Sequence, residues 1–220
     1  GKYTYFYKNN GLQNQSVLFR KDVSGKEEVF LDPNTFSKDG STSLAGINFT
    51  QDGSLLAYQI SEAGSDWRKV IVLNAVTKEK IGETLVDVKF SGVSWYKNEG
   101  FYYSSYDKPT GSELSAKTDQ HKLYYHKLGT SQSEDKVVFG GDIKRRYVGG
   151  SVTEDNLYLV ISAANATSSN ELYLVDLTQP KFEMKTLVDN MVYDYAIIDN
   201  RGRKLYVLTN NNAPNKKVMI

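Results

Sequence analysis

His121 and His126 are the only two imidazoles in the 220-residue chain, which makes them the first candidates for proton transfer or metal binding. They stand five positions apart, so on a strand, where successive side chains alternate faces, they point to opposite sides. They cannot grip one metal ion together. Asp119 lies two before His121 and could hydrogen-bond to it, although a carboxylate beside an imidazole at a strand end is the ordinary structural arrangement. The chain has no cysteine, which removes disulfides, thiolate metal sites and cysteine nucleophiles together. A serine nucleophile of the α/β-hydrolase kind needs Gly-x-Ser-x-Gly, because glycines permit the tight turn that exposes the hydroxyl. Gly92, Gly129 and Gly149 each begin a Gly-x-Ser triplet, but the fifth positions are Tyr96, Ser133 and Thr153. No phosphate-cradling loop, dinucleotide glycine pattern or calcium loop occurs. The expectation is no catalytic residue, no metal and no cofactor in this chain.

Other residue types add binding possibilities rather than reactions. Trp67 and Trp95 read as buried indoles whose N–H groups find partners. Lys144-Arg145-Arg146 is the densest basic run, yet 27 Lys and Arg against 26 Asp and Glu leave a formal charge of only +1. That balance offers no field for nucleic acid or anionic lipid, so the run reads as solvated loop or domain-contact residues. No apolar stretch approaches the ~20 residues of a membrane-spanning helix, and no basic-then-apolar leader opens the sequence. Neither nucleic acid nor membrane is an expected partner. Absence of cysteine suits the cytoplasm and a bacterial periplasm equally well, which leaves the compartment open.

The elements that must position these residues are strands. Short apolar runs recur about every 50 residues, beginning at Val17, Val70, Leu123, Leu172 and Val218. Ahead of each lies a second run rich in Tyr, Val, Ile and Phe: residues 3–7, 55–60, 101–104, 158–162 and 205–208. Their near-continuous apolar character suits inner strands packed on both faces. More polar runs at 29–31, 81–85, 137–139 and 184–188 follow the first four, as expected of an outer edge, and segments at 44–49, 93–96, 149–152 and 195–198 precede the inner runs. Asp52-Gly53, Glu99-Gly100 and Asp155-Asn156 mark turns between strands. The expected fold is all-β: a β-propeller of four-stranded antiparallel blades, about four to five of them, entered at the second strand of one blade and left in the third strand of another. A large β-sandwich or barrel is the alternative, but it would not require a constant order of strong and weak strands in every window. Both ends of the sequence read as cut, and unpaired blade edges at such ends invite self-association.

Several segments, in order and from end to end, resemble the propeller domain of prolyl oligopeptidases, particularly bacterial ones. They are residues 11–18 (GLQNQSVL), 28–34 (EVFLDPN), 64–67 (GSDW), 88–91 (VKFS), 101–107 (FYYSSYD), 121–126 (HKLYYH) with 128–130 (LGT), and 213–215 (APN). The resemblance implies a parent seven-bladed ring capping an α/β-hydrolase domain whose Ser-Asp-His triad is not in this chain. It further implies cleavage of short proline-containing peptides after proline, with the propeller filtering substrates by size. Phe90 resembles the aromatic that lines the pocket near the substrate proline, and Val148 matches a position where some members place Met against the same pocket. Where some members carry Arg and Cys in the loop at 163–169, this chain has Ala163, Ala164, Asn165, Ala166 and Thr167, so the resemblance implies no cationic clamp from that loop. The function expected is a non-catalytic gate and specificity scaffold. A free-standing propeller that binds peptides or proteins is the alternative, and a sibling peptidase of other specificity a third.

Overall fold

A computed structural model describes residues 2–107 and 118–220. Among them the chain runs as successive antiparallel meanders, with consecutive strands paired inside each sheet. It divides into two compact units, residues 1–89 with 128–132, and residues 90–127 with 133–220.

The first unit holds two sheets. One comprises β1 (Tyr3–Lys8), β2 (Val17–Asp22) and β3 (Glu27–Leu31), and the other β4 (Thr42–Phe49), β5 (Leu55–Glu62), β6 (Trp67–Asn74) and β7 (Lys80–Lys89). The second unit holds three sheets. They are β8 (Ser94–Tyr96) to β9 (Gly100–Ser105), β10 (Lys122–Lys127) and β11 (Lys136–Phe139); β12 (Tyr147–Val152) to β13 (Tyr158–Ala164), β14 (Glu171–Asp176) and β15 (Met184–Val188); and β16 (Tyr195–Arg201), β17 (Lys204–Thr209) and β18 (Lys217–Met219). Every run expected from the sequence lies within or overlaps a strand. The runs beginning at Val17, Val70, Leu123 and Leu172 lie within β2, β6, β10 and β14, and the run from Val218 overlaps β18, the third position of each blade when the three-stranded first sheet is counted from its second strand. Among the described residues helix is confined to 3-10 turns such as Pro33–Thr35, whose first N–H, that of Asn34, donates to the Asp32 carboxylate.

Side-chain chemistry in the turns explains why the strands stop where they do. Thr50 and Thr153 close matching β4–β5 and β12–β13 hairpins. Each threonine hydroxyl donates to a carboxylate two residues on, Asp52 at 2.8 Å and Asp155 at 2.7 Å. Each also accepts the backbone N–H five residues on, from Leu55 and Tyr158, at 3.0 Å. The residues after the carboxylates, Gly53 and Asn156, take positive φ, which these two types tolerate. A second device ends the third strands: Asp22, Asn74 and Asp176 each accept the N–H two residues ahead through Oδ1.

Burial follows strand position. All six residues of β9 are buried, whereas outer strand β15 is largely exposed. The core of the second unit gathers Tyr102, Leu123, Phe139, Val148, Leu159, Ile161, Ala163, Tyr173 and Val175 from β9 to β14. Each fully buried aliphatic such as Leu123 contributes about 1.5–3 kcal/mol. In the first unit one core cluster is Leu18, Phe30, Leu56 and Ala75, with Tyr5 wedged against Phe30 at 5.0 Å and Phe49 at 4.3 Å between ring centroids.

One indole departs from expectation. Trp67 is buried, but its Nε1 has no hydrogen-bond partner. Lys89, paired with Trp67 across β6–β7, places its ammonium 4.9 Å from the ring centroid. The cation engages the negative face of the ring and leaves the edge N–H unserved, a cost of about 1–3 kcal/mol.

Candidate functional site

Phe90 follows the last residue of β7 and adopts φ 51°, in the left-handed region. For an aromatic residue this is an outlier, costing on the order of 1–3 kcal/mol, and such strain concentrates at functional positions. An ordinary core aromatic would be enclosed, but 47% of Phe90 is exposed. Its ring meets Tyr106 edge-on at 6.2 Å and lies 6.3 Å from Tyr147, the first residue of β12. Beside it, the Ser91 hydroxyl accepts the Ser104 N–H at 2.7 Å, fastening the segment after Phe90 to β9.

Beneath the exposed ring the support is polar as well as aromatic. Tyr106 is buried, and its hydroxyl donates to the Arg146 carbonyl at 2.6 Å. Burial, reinforced by Tyr147, pushes that phenol up to about 12, so it stays a donor at neutral pH. Its other flank stacks on His121 at 4.4 Å. His121 Nδ1 accepts the Val148 N–H at 2.9 Å, which fixes the neutral imidazole with its proton on Nε2. Both histidines are buried. His126 Nδ1 meets Asp135 Oδ1 at 2.8 Å, and Tyr103 donates to Asp135 Oδ2 at 2.8 Å. The two imidazoles therefore serve separate structural networks, and among the described residues no cluster of His, Asp and Glu is arranged to hold a metal.

The two site residues expected from the sequence occupy different depths. Phe90 presents half its surface to solvent, whereas Val148 is 3% exposed and packs in the second unit's core. They are linked through Tyr106, His121 and the Val148 backbone. Asp119 lines a depression of about 410 Å³ with Thr118, Arg146 and Asn165. Sequence reasoning passed over Tyr106 and Tyr147, and it read Arg146 only as part of a basic run of solvated loop or domain-contact residues. The signals present were the aromatic-rich segment ending in Tyr106 and an Arg-Tyr pair directly before Val148. The basic run is divided in role: Arg145 grips Glu171 with two bonds of 2.7 Å and holds its carboxyl below the usual range, while Arg146 faces the depression.

The sheets and their meander order define a β-propeller domain. The model of the prolyl oligopeptidase N-terminal beta-propeller domain matches residues 1–220, and the chain belongs to that family. A prolyl endopeptidase of Elizabethkingia miricola is 58% identical over 221 residues, covering 100% of this chain and 31% of that protein. Among solved structures, one from a study of two prolyl endopeptidases and their inter-domain dynamics has a TM-score of 0.87 at 30% identity, covering 99% of this chain and 32% of that one. Prolyl oligopeptidase B of Galerina marginata, bound to a 35mer hydrolysis and macrocyclization substrate, has a TM-score of 0.85 at 29% identity, covering 99% and 34%. The chain thus spans about a third of the length of the relatives it matches. Among the described residues no helix is long and apolar enough to cross a membrane.

Proposed function

We propose that this chain is the gating and substrate-selecting portion of a serine endopeptidase that cleaves short peptides after proline, working with an α/β-hydrolase domain of the same enzyme. The match of the propeller family model along residues 1–220 carries this reading. Phe90 gives it chemistry: a half-exposed aromatic, held by a strained backbone against two tyrosines, is a platform for an apolar ring such as that of proline. Val148 acts from below as a support and not as a lining surface, its side chain in the core and its N–H on the His121 ring that stacks under Tyr106. Apolar burial on such a platform, at ~25 cal/mol per Å², tunes specificity and cannot break a bond.

The test compares the 220-residue chain with the longer enzyme on a fluorogenic proline peptide. Turnover is expected only from the longer protein, and turnover by the purified chain alone overturns the division of labour. In the longer protein, Phe90→Ala should lower kcat/KM by about 3- to 30-fold, the range for losing part of a buried aromatic contact. An unchanged kcat/KM would remove Phe90 from the pocket.

A further inference from the structure

The depression lined by Thr118, Asp119, Arg146 and Asn165 is not accounted for by the aromatic platform, and its makeup specifies a ligand. Arg146 has its backbone fixed at both ends, the N–H donating to Asn165 Oδ1 at 3.2 Å and the carbonyl accepting from Tyr106. Its guanidinium lies 5.7 Å from the centroid of Tyr147, the same ring that flanks Phe90 at 6.3 Å. Unlike Arg145, it enters no ion pair among the described residues, and neither does Asp119, although the two share a cavity.

Among the described lining residues the available groups are mostly donors. The guanidinium, the Asn165 amide nitrogen and the Thr118 hydroxyl can donate, while Asp119 accepts and opposes any incoming carboxylate. A neutral group with an exposed carbonyl and an N–H, the main-chain amide of an extended peptide, satisfies both kinds at once. A carboxylate satisfies the donors but meets Asp119, and an ammonium meets Arg146. Since Tyr147 bridges the two places, they are at most about 12 Å apart, which an extended peptide spans in roughly two to four residues at ~3.3 Å each.

We propose that Arg146, with Thr118, Asn165 and Asp119, forms a main-chain subsite that holds a peptide two to four residues away from the residue seated on Phe90. The subsite selects for substrate length, not for side-chain charge. This inference rests on the platform reading given above.

The experiment uses the longer enzyme with Gly-Pro reporter peptides extended upstream by zero, two, four or six alanines, and a parallel set carrying Glu in the extension. Wild type should gain in kcat/KM with extension. Arg146→Met, which keeps the apolar stem, should erase about 3- to 10-fold of that gain, the worth of one or two net hydrogen bonds, and cost the unextended peptide less than the extended ones. Thr118→Val should give a smaller loss with the same length dependence. Equal loss on all lengths would make Arg146 a support for Tyr147, loss confined to Glu peptides would make the site a carboxylate subsite, and no loss would leave it without a role. Each of these overturns the proposal. Phe90→Ala separates the two ideas. If it impairs every proline peptide while Arg146→Met does nothing, only the subsite falls. If the enzyme shows no preference for proline, the platform falls with it.

Discussion

At the scale of single residues, one constraint on the packing of the second unit comes down to a hydrogen atom. Gly150 on β12 faces Leu123 on β10, and a Cβ at Gly150 would stand 2.7 Å from both Leu123 methyl carbons. Leu123 is fully buried in the core shared with Val148 and Ile161, so it cannot swing away without displacing neighbours. Gly150 has no positive φ, so the need is for space and not for backbone freedom. Gly150→Ala should therefore destabilise by about 1–3 kcal/mol through overpacking. The double variant Gly150→Ala with Leu123→Ala should lose less than the sum of the two single losses, because the smaller side chain leaves room for the new methyl. Denaturant midpoints for the three variants decide this, and strict additivity would mean that the two residues do not press on each other. Phe90 is the opposite kind of position. There space is open and backbone strain is retained, as a surface used for binding can require.

At the scale of elements, the hairpin that joins first and second strands is built twice with the same parts, Thr50 with Asp52 and Thr153 with Asp155. Removing either carboxylate breaks its bonds from the threonine hydroxyl and from one backbone N–H, those of Ser54 and Leu157 respectively, and in the first turn also its bond from the Ser54 hydroxyl at 2.8 Å. Asp52→Ala and Asp155→Ala should each cost about 0.5–1.5 kcal/mol. Asp155 also accepts from Asn200 Nδ2 on β16 at 2.6 Å, a contact that reaches beyond its turn as the Ser54 hydroxyl on Asp52 does not, so its replacement should be the costlier of the two. Chemical denaturation ranks them, and the reverse order would show that the Asn200 contact adds nothing. These turns also explain why the strands were legible in sequence. Asp-Gly and Asp-Asn dipeptides punctuate apolar runs, and each run pairs with its neighbour in the chain, so local pattern and tertiary partner coincide. Phe90 and Val148 were reached only through family likeness, since nothing local distinguishes Phe90 from a core aromatic. What makes it distinct is a φ of 51° and two tyrosines from β12 and the segment after β9. Arg146 was hidden for a related reason. Arg145 and Arg146 are alike in sequence, and only the position of Glu171 on β14 assigns one to an ion pair.

At the scale of the whole molecule, buried phenols set the response to alkali. Tyr106, Tyr124, Tyr125 and Tyr173 are each pushed up to about 12, chiefly by burial, and Tyr102 is raised further. All five lie in the second unit. In the first unit burial raises Tyr5, Tyr7 and Tyr58, without shifts of that size. A phenol raised in the folded state ionises first when unfolded, near 10. Folding stability is therefore intact below pH 10, and these groups withdraw it as the pH climbs from 10 toward 12. The second unit carries more of this penalty, so it should open at lower pH than the first. The two tryptophans report the units separately, Trp67 in the first and Trp95 in the second, where it packs edge-on against Phe101 at 5.2 Å. In a Trp67→Phe variant the remaining indole emission should red-shift at lower pH than in a Trp95→Phe variant, with phenolate absorbance rising in step with the earlier transition. Coincident transitions would show that the units unfold as one body, and the reverse order would mean that factors other than the buried tyrosines govern alkaline stability.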